Sequence, residues 1–284
     1  MRQLTPILRV IMLIAWLLVL LPFQILALLF RSGLAKQIPM VFHRGVARVL
    51  GLQFDVRGQI ADTGPVLFVS NHSSWLDIVV LSALAPVSFV AKSEIAGWPG
   101  VSILAKLQGT VFVARKRAKT RDSLAAITGR LADGATLVLF PEGTRGDGNR
   151  ILPFKSALFS AAENKDAPDA APMVQPVSIA YTHLDGFPLG RRSRPRLTWY
   201  GKMRLGRHLW GMLGNGPARI AVDFHQPVRL AELKSRKGLA AYCRQVIADS
   251  HRGAISGRPQ PLPSRTTIQR QPAPPGIVIR AQVT

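Results

Sequence analysis

His72 and Asp77 stand five positions apart in the segment NHSSWLD (71–77), directly after an apolar run with strand character. A turn that opens a helix between them would bring the imidazole and the carboxylate into contact. The carboxylate then holds the proton on one ring nitrogen and leaves the other nitrogen free to act as a base. The pair amounts to two of the three members of a serine–histidine–aspartate triad.

The third member of such a triad, an enzyme nucleophile, does not accompany the pair. No Gly-x-Ser-x-Gly segment occurs in the sequence, and Ser73 and Ser74 adjoin His72 instead of facing it across a cleft. The one cysteine, Cys243, lies in a helix-like stretch and is interpreted as a small buried apolar residue. A base without its own nucleophile suits a reaction in which the substrate supplies the hydroxyl group.

A second polar cluster ends another apolar run, in the segment FPEGTR (140–145). A glycine-containing turn with backbone donors, together with the forked guanidinium of Arg145, suits an anion such as a phosphate monoester. Glu142 is unusual in a pure anion site and would orient an arginine or accept from a substrate hydroxyl. The simpler interpretation is an ordinary β-turn with Gly143 at its tight position.

Two further segments carry residues with possible roles in a site. GTVFVAR (109–115) is a strand-like run with Arg115 at its end, although basic residues there also suit a solvated helix start. VQPVSIAY (174–181) is an apolar strand interrupted by Pro176. Because proline has no amide donor, we expect this strand at an edge of the sheet or in an irregular position.

The elements that must position these residues alternate along the chain from about residue 60. Predicted strands are Val66–Ser70, Val87–Ala91, Thr110–Ala114, Thr136–Phe140, Val174–Ala180, Arg196–Tyr200 and Arg219–Phe224. Predicted helices are Leu76–Leu84, Gly100–Leu107, Arg121–Leu131, Phe154–Glu163 and Gly238–Ser250. This alternation predicts an α/β domain built on a mixed, largely parallel sheet flanked by helices.

An uncharged apolar run covers 21 positions, from Val10 to Phe30, near the N-terminus. As a helix it would be about 31 Å long, close to the hydrocarbon thickness of a bilayer. The run is too long for the apolar region of a signal peptide, so we predict a retained membrane anchor. Pro22 would allow a kinked hairpin or re-entrant anchor as well as a single span, and both stay open.

The composition restricts the class of partner. The chain has 37 Lys and Arg against 15 Asp and Glu, a net charge of +22, and 48% hydrophobic residues. A chain with this share of hydrophobic residues is not disordered as a whole. The sequence also argues against a polytopic transporter, because it has one long apolar run and such a transporter needs several. The charge implies an anionic membrane or a nucleic acid. Because helix-turn-helix, zinc and RNP patterns do not occur, we predict no nucleic-acid partner.

Three segments follow from these patterns. Residues 1–50 form the anchor and a basic juxtamembrane segment, whose positive charge favours a body on the cytoplasmic side. Residues 51–251 form the catalytic domain. Residues 252–284 are basic and rich in proline, which predicts a disordered tail.

The four polar or strand-like segments described above, NHSSWLD, GTVFVAR, FPEGTR and VQPVSIAY, occur in an order and at spacings that resemble the glycerolipid acyltransferase family. That family is typified by 1-acylglycerol-3-phosphate acyltransferase. NHSSWLD is similar to the Asn-His-x4-Asp (HX4D) block of that family, and GTVFVAR to its Gly-x-x-Phe-x-x-Arg block. FPEGTR matches the third block without change, and VQPVSIAY resembles the fourth.

The resemblance implies a role for each residue. His72 is the general base that deprotonates the hydroxyl of the acceptor, Asp77 orients it, and the oxygen attacks an acyl thioester without an acyl-enzyme. The residues matching the positions that bind the phosphate and glycerol of the acceptor are Arg115, Glu142, Gly143, Thr144 and Arg145. Pro176 corresponds to the acyl-donor site. No metal or bound cofactor is implied.

On this resemblance we expect an O-acyltransferase of phospholipid biosynthesis on the cytoplasmic face of the inner membrane. It would transfer a fatty acyl group from acyl carrier protein or coenzyme A to 1-acylglycerol-3-phosphate, giving phosphatidic acid. The segments PVSFVAK (86–92) and WYG (199–201) are also similar to a bacterial branch that acylates lyso-ornithine lipid. That acceptor has no phosphate, so Arg115 and Arg145 would then bind a carboxylate.

Overall fold

A computed structural model of the chain describes residues 4–61, 64–113, 120–163 and 171–258. The helices within these ranges are α1 (Leu4–Leu29), α2 (Leu34–Val49), α3 (Leu76–Leu84), α4 (Val101–Leu107), α5 (Thr120–Ala132), α6 (Leu205–Leu213) and α7 (Arg236–Ile255). The strands are β1 (Leu52–Gly58), β2 (Val66–Ser70), β3 (Val87–Lys92), β4 (Val111–Val113), β5 (Thr136–Leu139), β6 (Met173–Leu184), β7 (Phe187–Pro188) and β8 (Ala218–Phe224).

The strands form one sheet in the order β1-β8-β6-β2-β5-β3-β4, with β7 paired to β6. All pairings along this order are parallel except that of β6 with β8, and β7 is also antiparallel to β6. Every residue of β2 is buried, as expected for an interior strand covered on both faces. The prediction of a mixed, largely parallel sheet flanked by helices is confirmed.

Helices cover the two faces of the sheet with separate apolar cores. On one face, α2, α3 and α6 bury residues such as Val46, Leu76 and Leu213, and α1 packs against them. On the other face, α5 and α7 pack with a 3-10 helix over Ser156–Ala162. Cys243 lies fully buried in this second core, where burial raises the pKa of its thiol to about 12. Its interpretation as an apolar core residue is confirmed.

One predicted element is wrong, and another is shorter and of a different helical type than predicted. The segment predicted as a strand, Arg196–Tyr200, begins at the last residue of a 3-10 helix (Arg194–Arg196) and pairs with no strand among the described residues. Its backbone bonds instead to the loop after β2, through the Trp199 amide and the Ser73 carbonyl at 2.8 Å. In the range predicted as a helix, Phe154–Glu163, the structure has the 3-10 helix Ser156–Ala162. Three further elements, α2, α6 and β1, lie in segments where the sequence predicts no helix or strand.

Pro176 lies in an interior strand, so an edge position is wrong, but its position is irregular, as the alternative expectation has it. The ladder of β6 with β8 begins at Val177 and Phe224, one residue after Pro176, and the next pair is the isolated bridge of Val174 with Val228. Its strand, β6, stands between β2 and β8. The Pro176 carbonyl accepts from the amide of His225 on the neighbouring chain segment, at 3.0 Å. Proline cannot return the second bond of such an antiparallel pair. The side chain of Gln175 donates to the His225 carbonyl at 2.9 Å in its place, which satisfies the ladder.

The apolar N-terminal run is a continuous helix through Pro22, as the long α1 shows. A short turn joins it to α2, and the two helices pack against each other. They approach closely where the Trp16 indole lies over Gly45, because a Cβ at that glycine would collide with the ring. At the other end of the chain, α7 continues to Ile255, into the segment assigned to the tail, and residues 259–284 lie outside the described ranges.

Candidate active site

The parallel pairing of β2 with β5 brings the two polar loops together. Val69 of β2 pairs with Leu139 of β5, so both strands end at the same edge of the sheet. The loop carrying His72 follows β2, and the FPEGTR turn follows β5. Two motifs separated by about 65 positions in sequence therefore lie side by side, as ends of neighbouring parallel strands must.

The predicted contact between His72 and Asp77 is present. The Nδ1 atom of His72 lies 2.8 Å from Asp77 Oδ2. Since a carboxylate oxygen accepts, Nδ1 carries the proton in this pair and Nε2 is the free nitrogen. An imidazole held in this way can take a proton at Nε2, and the fully buried carboxylate stabilises the imidazolium that forms.

Four donors converge on the Asp77 carboxylate. Besides His72, the backbone amides of Ser73 and Ser74 donate to Oδ2, at 2.7 and 2.9 Å. The Tyr181 hydroxyl donates to Oδ1 at 2.6 Å. Burial, followed by the charge of Asp77, raises the pKa of Tyr181 well above its usual value, so the phenol keeps the proton that it donates. Tyr181 is not among the residues that the sequence predicts for the site, although it closes the VQPVSIAY block.

The ring and backbone of His72 are fixed from other sides as well. Its imidazole stacks on Phe140, with ring centroids 4.1 Å apart and 19° between the planes. Its backbone amide donates to Glu142 Oε1 at 2.9 Å, and its carbonyl accepts from the Gly146 amide at 2.9 Å. The FPEGTR turn thus holds the loop of the predicted base.

Glu142 lies behind this loop and does not line the open cavity described below. It is 4% exposed, and its second oxygen accepts from the Leu152 amide at 3.2 Å. Burial raises the pKa of Glu142 to about 8, against the lowering effect of the two backbone donors. Its position suits a residue that joins the loop of His72 to the segment around Leu152, whereas the sequence predicts that it contacts the acceptor.

Arg145 is oriented by Trp199, another residue that the sequence does not predict for the site. The Arg145 Nε–H donates to the Trp199 carbonyl at 2.9 Å, and the guanidinium carbon lies 3.8 Å from the centre of the indole ring. These contacts use Nε and one face of the guanidinium. They do not use the two terminal nitrogens, and Arg145 lines the cavity described below.

An apolar cavity of about 510 Å³ opens beside His72 and Arg145. Its walls come from α1, α2, α3, α4 and α6, and its lining is mostly Leu, Ile, Val, Phe and Trp side chains. Ser73 and Ser74 are buried and do not line it. The charged and titratable groups in this lining are the imidazoles of His43 and His72 and the guanidinium of Arg145. An apolar space with these groups suits a molecule with a hydrocarbon chain and an anionic group.

The other predicted site residues lie outside the cavity lining or outside the described residues. Gly143 adopts a left-handed conformation (φ 64°) in the turn after β5, and Thr144 beside it is exposed. Pro176 is buried in β6. Arg115 falls in residues 114–119, which the structure does not describe. Among the described residues, no group of three or more His, Cys, Asp or Glu side chains is placed to hold a metal ion.

Replacing Tyr181 with phenylalanine is expected to lower kcat by up to about tenfold, the equivalent of about 1.4 kcal/mol. Without its phenol donor, Asp77 would attract the proton on His72 more strongly, so the acid limb of the kcat/KM profile should move to higher pH. The measurement is a full pH–rate profile. A Tyr242→Phe variant, which removes a hydroxyl from α7 on the opposite face of the sheet, is the matched control. An unshifted acid limb in Tyr181→Phe would show that the hydroxyl has only a packing role.

Known proteins match this chain in sequence and in fold. The family model described as "Acyltransferase" matches residues 53–180. The lyso-ornithine lipid O-acyltransferase of Brucella abortus (strain 2308) is 44% identical over 245 residues, covering 85% of this chain and 92% of that protein. The 1-acyl-sn-glycerol-3-phosphate acyltransferase of Neisseria meningitidis serogroup B (strain MC58) is 34% identical, covering 72% and 79%.

A solved structure shares the fold. The crystal structure of the 1-acyl-sn-glycerophosphate acyltransferase PlsC from Thermotoga maritima matches with a TM-score of 0.60 at 23% identity, covering 90% of this chain and 97% of that one. At this identity the match concerns the fold, whereas the matches in sequence extend over most of both chains. The chain belongs to the acyltransferase family whose members include the lyso-ornithine lipid and 1-acylglycerol-3-phosphate acyltransferases.

Proposed function

We propose that this acyltransferase completes ornithine lipid by transferring a fatty acyl group from a thioester carrier to the free hydroxyl of lyso-ornithine lipid. The proposal is supported by the names of the relatives and by how similar they are to this chain. Proteins named lyso-ornithine lipid O-acyltransferase from Brucella abortus and Rhizobium meliloti (strain 1021) are 44% and 40% identical over 85% and 90% of this chain. Both matches are stronger than the 34% match to the meningococcal 1-acylglycerol-3-phosphate enzyme.

In the proposed mechanism, His72 Nε2 removes the proton of the acceptor hydroxyl while Asp77 supports the developing imidazolium. The hydroxyl oxygen attacks the thioester carbonyl, and the carbon–sulfur bond breaks. The leaving thiolate takes the proton back from the imidazolium, so that the products are an ester and a free thiol. The acceptor hydroxyl is the nucleophile, which is consistent with the buried Ser73 and Ser74 beside the base.

The cavity and Arg145 support a lipid acceptor with an anionic headgroup. An acyl chain fits the apolar lining, and the guanidinium of Arg145 in that lining suits a carboxylate or a phosphate. In lyso-ornithine lipid this anion is the ornithine carboxylate. The acyl donor, either acyl carrier protein or coenzyme A thioester, belongs to the same proposal.

Replacing Arg145 with lysine is expected to raise KM for the acceptor about 10- to 100-fold with a smaller change in kcat. A lysine cannot donate to the Trp199 carbonyl and present two further parallel donors at once, and a charge-assisted hydrogen bond is worth about 1.5–3 kcal/mol. Steady-state kinetics with varied acceptor would measure this effect. Arg150→Lys, an exposed arginine five positions away, is the control. Equal KM values for Arg145→Lys and the parent enzyme would remove Arg145 from the acceptor site.

Expression in a bacterium that accumulates lyso-ornithine lipid tests the acceptor. We expect ornithine lipid to appear in the extracted lipids, as measured by mass spectrometry, and to be absent with a His72→Ala variant. A second candidate, 1-acylglycerol-3-phosphate, is favoured by the meningococcal relative. Rescue of a strain lacking that acyltransferase, without any ornithine lipid formed, would replace the first proposal with the second.

We further propose that the protein works on the cytoplasmic face of the inner membrane, with α1 embedded in one leaflet. The segment Thr5–Leu29 has a mean hydropathy of 2.6 and is long enough to span a bilayer. However, two side chains of α1 bond to the catalytic domain: Arg9 to the Leu213 carbonyl at 2.8 Å and Gln24 to that of Leu107 at 2.7 Å. Between them, Trp16 bonds to the Phe42 carbonyl of α2 at 3.2 Å. From Arg9 to Gln24 the helix rises about 22 Å. A helix attached to the catalytic body over that length lies beside it.

The accessibility of one engineered cysteine tests this arrangement. A membrane-impermeant thiol reagent should modify Thr5→Cys in inside-out vesicles and leave it unmodified in intact spheroplasts. Thr5 is exposed, and the native Cys243 is buried, so the label reports one position. Modification in spheroplasts would instead establish a transmembrane α1.

A further inference from the structure

The segment 187–217 concentrates positive charge on the surface. It holds seven Arg and Lys residues and no Asp or Glu. Arg194 is buried, where it donates to the Asn149 side chain and to the Leu189 carbonyl, and so belongs to the fold. The other six cations are exposed: Arg191, Arg192, Arg196, Lys202, Arg204 and Arg207. We call these six the basic face.

Large apolar side chains are exposed among the cations of the basic face. Met203 is 39% and Trp210 44% exposed. Helix α6 buries Met212 and Leu213 against the body and turns Arg207 and Trp210 outward. Arginine beside an outward tryptophan on a short amphipathic helix is typical of a segment that lies in a membrane interface.

The basic face continues the apolar surface of α1. Helix α6 packs against α1, and Arg9 of α1 donates to the Leu213 carbonyl at the end of α6. The outer side of α1 exposes residues such as Leu18 and Phe23, at 61% and 59%. An apolar surface bordered by cations fits the hydrocarbon and the headgroups of one anionic leaflet.

The same segment forms part of the active site. Trp199 holds Arg145 through its carbonyl and binds the Ser73 carbonyl through its amide. On α6, Leu205 and Leu209 line the cavity, and His208 accepts at 3.0 Å from the indole of Trp75, two residues before Asp77. Whatever binds the basic face therefore binds beside the cavity mouth.

We propose that the basic face is a docking surface for an anionic lipid bilayer, separate from the apolar insertion of α1. Docking brings the mouth of the cavity to the level of the headgroups, where a membrane-resident acceptor enters sideways. The inference goes beyond the proposed function and is independent of which acceptor is used. Each cation near an anionic surface strengthens binding by roughly fivefold, equivalent to about 1 kcal/mol.

A polarity-sensitive thiol fluorophore on a Met203→Cys variant of the full chain tests the docking. The single native cysteine is buried, so labelling is selective. The labelled protein is reconstituted, without substrate, in vesicles of phosphatidylcholine alone or of phosphatidylcholine with phosphatidylglycerol. We expect blue-shifted emission in the anionic vesicles only, reversed at about 1 M salt, where the screening length falls to about 3 Å. A label at Ala126→Cys, exposed on α5 across the sheet, should report no shift.

A variant that lacks two cations of the basic face measures how much the charge contributes to docking. In the Met203→Cys background, Arg204→Gln with Arg207→Gln should weaken the response to phosphatidylglycerol about 25-fold, from two cations at roughly fivefold each. Lys234→Gln with Arg258→Gln removes two exposed cations elsewhere and should leave the response unchanged. Unfolding temperatures show whether each variant is folded.

Three results would overturn the proposal. An emission wavelength that is the same in neutral and anionic vesicles would show that the charge of the basic face does not contribute to binding. A blue shift that persists at high salt would show the same. A shift produced only by adding an acidic acyl carrier protein would make the basic face a protein-docking surface. Because the experiment contains no substrate, none of these results bears on the proposed reaction, and a failure of the reaction leaves this measurement intact.

Discussion

Replacing His72 with alanine is expected to lower kcat by about 10²- to 10⁴-fold, the usual contribution of a general base. Two histidines line the cavity, and His72 is the one that is paired with a carboxylate, which can stabilise an imidazolium. The Nδ1 atom of the other, His43, contacts the Pro39 carbonyl, and burial lowers the pKa of His43 to about 4. The fold should survive, because its backbone bonds to Glu142 and Gly146 do not involve the side chain. The loss should therefore appear in kcat, measured with purified protein and saturating acceptor.

A second histidine provides the control for this variant. His183 lies in β6, and its Nδ1 contacts the neighbouring Thr182 hydroxyl. His183→Ala is expected to keep kcat within a few-fold of the parent enzyme, as surface substitutions distant from a site usually do. Turnover by His72→Ala equal to that of His183→Ala would contradict the assignment of the base.

Replacing Asp77 with asparagine is expected to lower kcat on a similar scale, about 10²- to 10⁴-fold, without unfolding the protein. The amide oxygen of asparagine can keep the three bonds from His72, Ser73 and Ser74, which all reach the same oxygen in the parent chain. The amide nitrogen then faces Tyr181, whose hydroxyl oxygen can accept. What is lost is the negative charge that stabilises the imidazolium.

Asp77→Ala separates this electrostatic effect from a structural one. Alanine would leave the same donors without an acceptor in a buried site, at about 1–3 kcal/mol for each unsatisfied group. We expect Asp77→Ala to lower both kcat and the midpoint of thermal unfolding, and Asp77→Asn to lower kcat alone. Full activity in Asp77→Asn would show that the charge of Asp77 does not support the reaction.

The contact between His72 and Asp77 could be predicted because it is local. Both residues belong to one short connection from a strand to a helix, and local spacing with elementary turn geometry is enough to place them together. The alternation of strands with helices also predicts that parallel strands end at one edge of the sheet. It does not predict that β5 is the neighbour of β2, because β3 and β4 lie between them in the chain.

The roles of Tyr181 and Trp199 could not be predicted, because both residues contact parts of the chain that are distant in sequence. Tyr181 contacts Asp77 across more than one hundred positions of sequence. It lies on β6 four residues beyond Val177, the partner of the last residue of β2. Trp199 lies in a segment whose apolar and β-branched residues resemble a strand, yet its backbone bonds to the catalytic loop. Neither contact follows from residue type or spacing alone.

Pro176 shows how a side chain can replace a missing backbone donor. The absence of an amide donor confines proline to edge strands, strand starts and bulges, and Pro176 lies where the ladder of β6 with β8 is interrupted. Here the carboxamide of Gln175 occupies the position of the lost bond. The same residue also bonds to the carbonyl of Gln59 and accepts from the Ala61 amide, so one buried glutamine makes an interior position possible for the proline.

The segment 1–50 also has a wider role than the anchor that its composition predicts. Leu17 and Leu21 of α1, with Phe42 and Val46 of α2, line the cavity beside His72. The hydropathy of an apolar run is the same whether its side chains face lipid or line a cavity. Hydropathy alone therefore does not distinguish the two environments. The structure shows that both helices supply walls of the candidate active site.

Competition between the two acceptors shows which of them the enzyme prefers. Purified enzyme is given labelled acyl thioester and vesicles that contain equal amounts of lyso-ornithine lipid and 1-acylglycerol-3-phosphate, and the products are separated. We predict ornithine lipid as the main product, with kcat/KM for its precursor higher by at least about tenfold, and no product with His72→Ala above the background. Phosphatidic acid as the main product, or ornithine lipid formed equally fast by His72→Ala, would contradict the proposed reaction and its base.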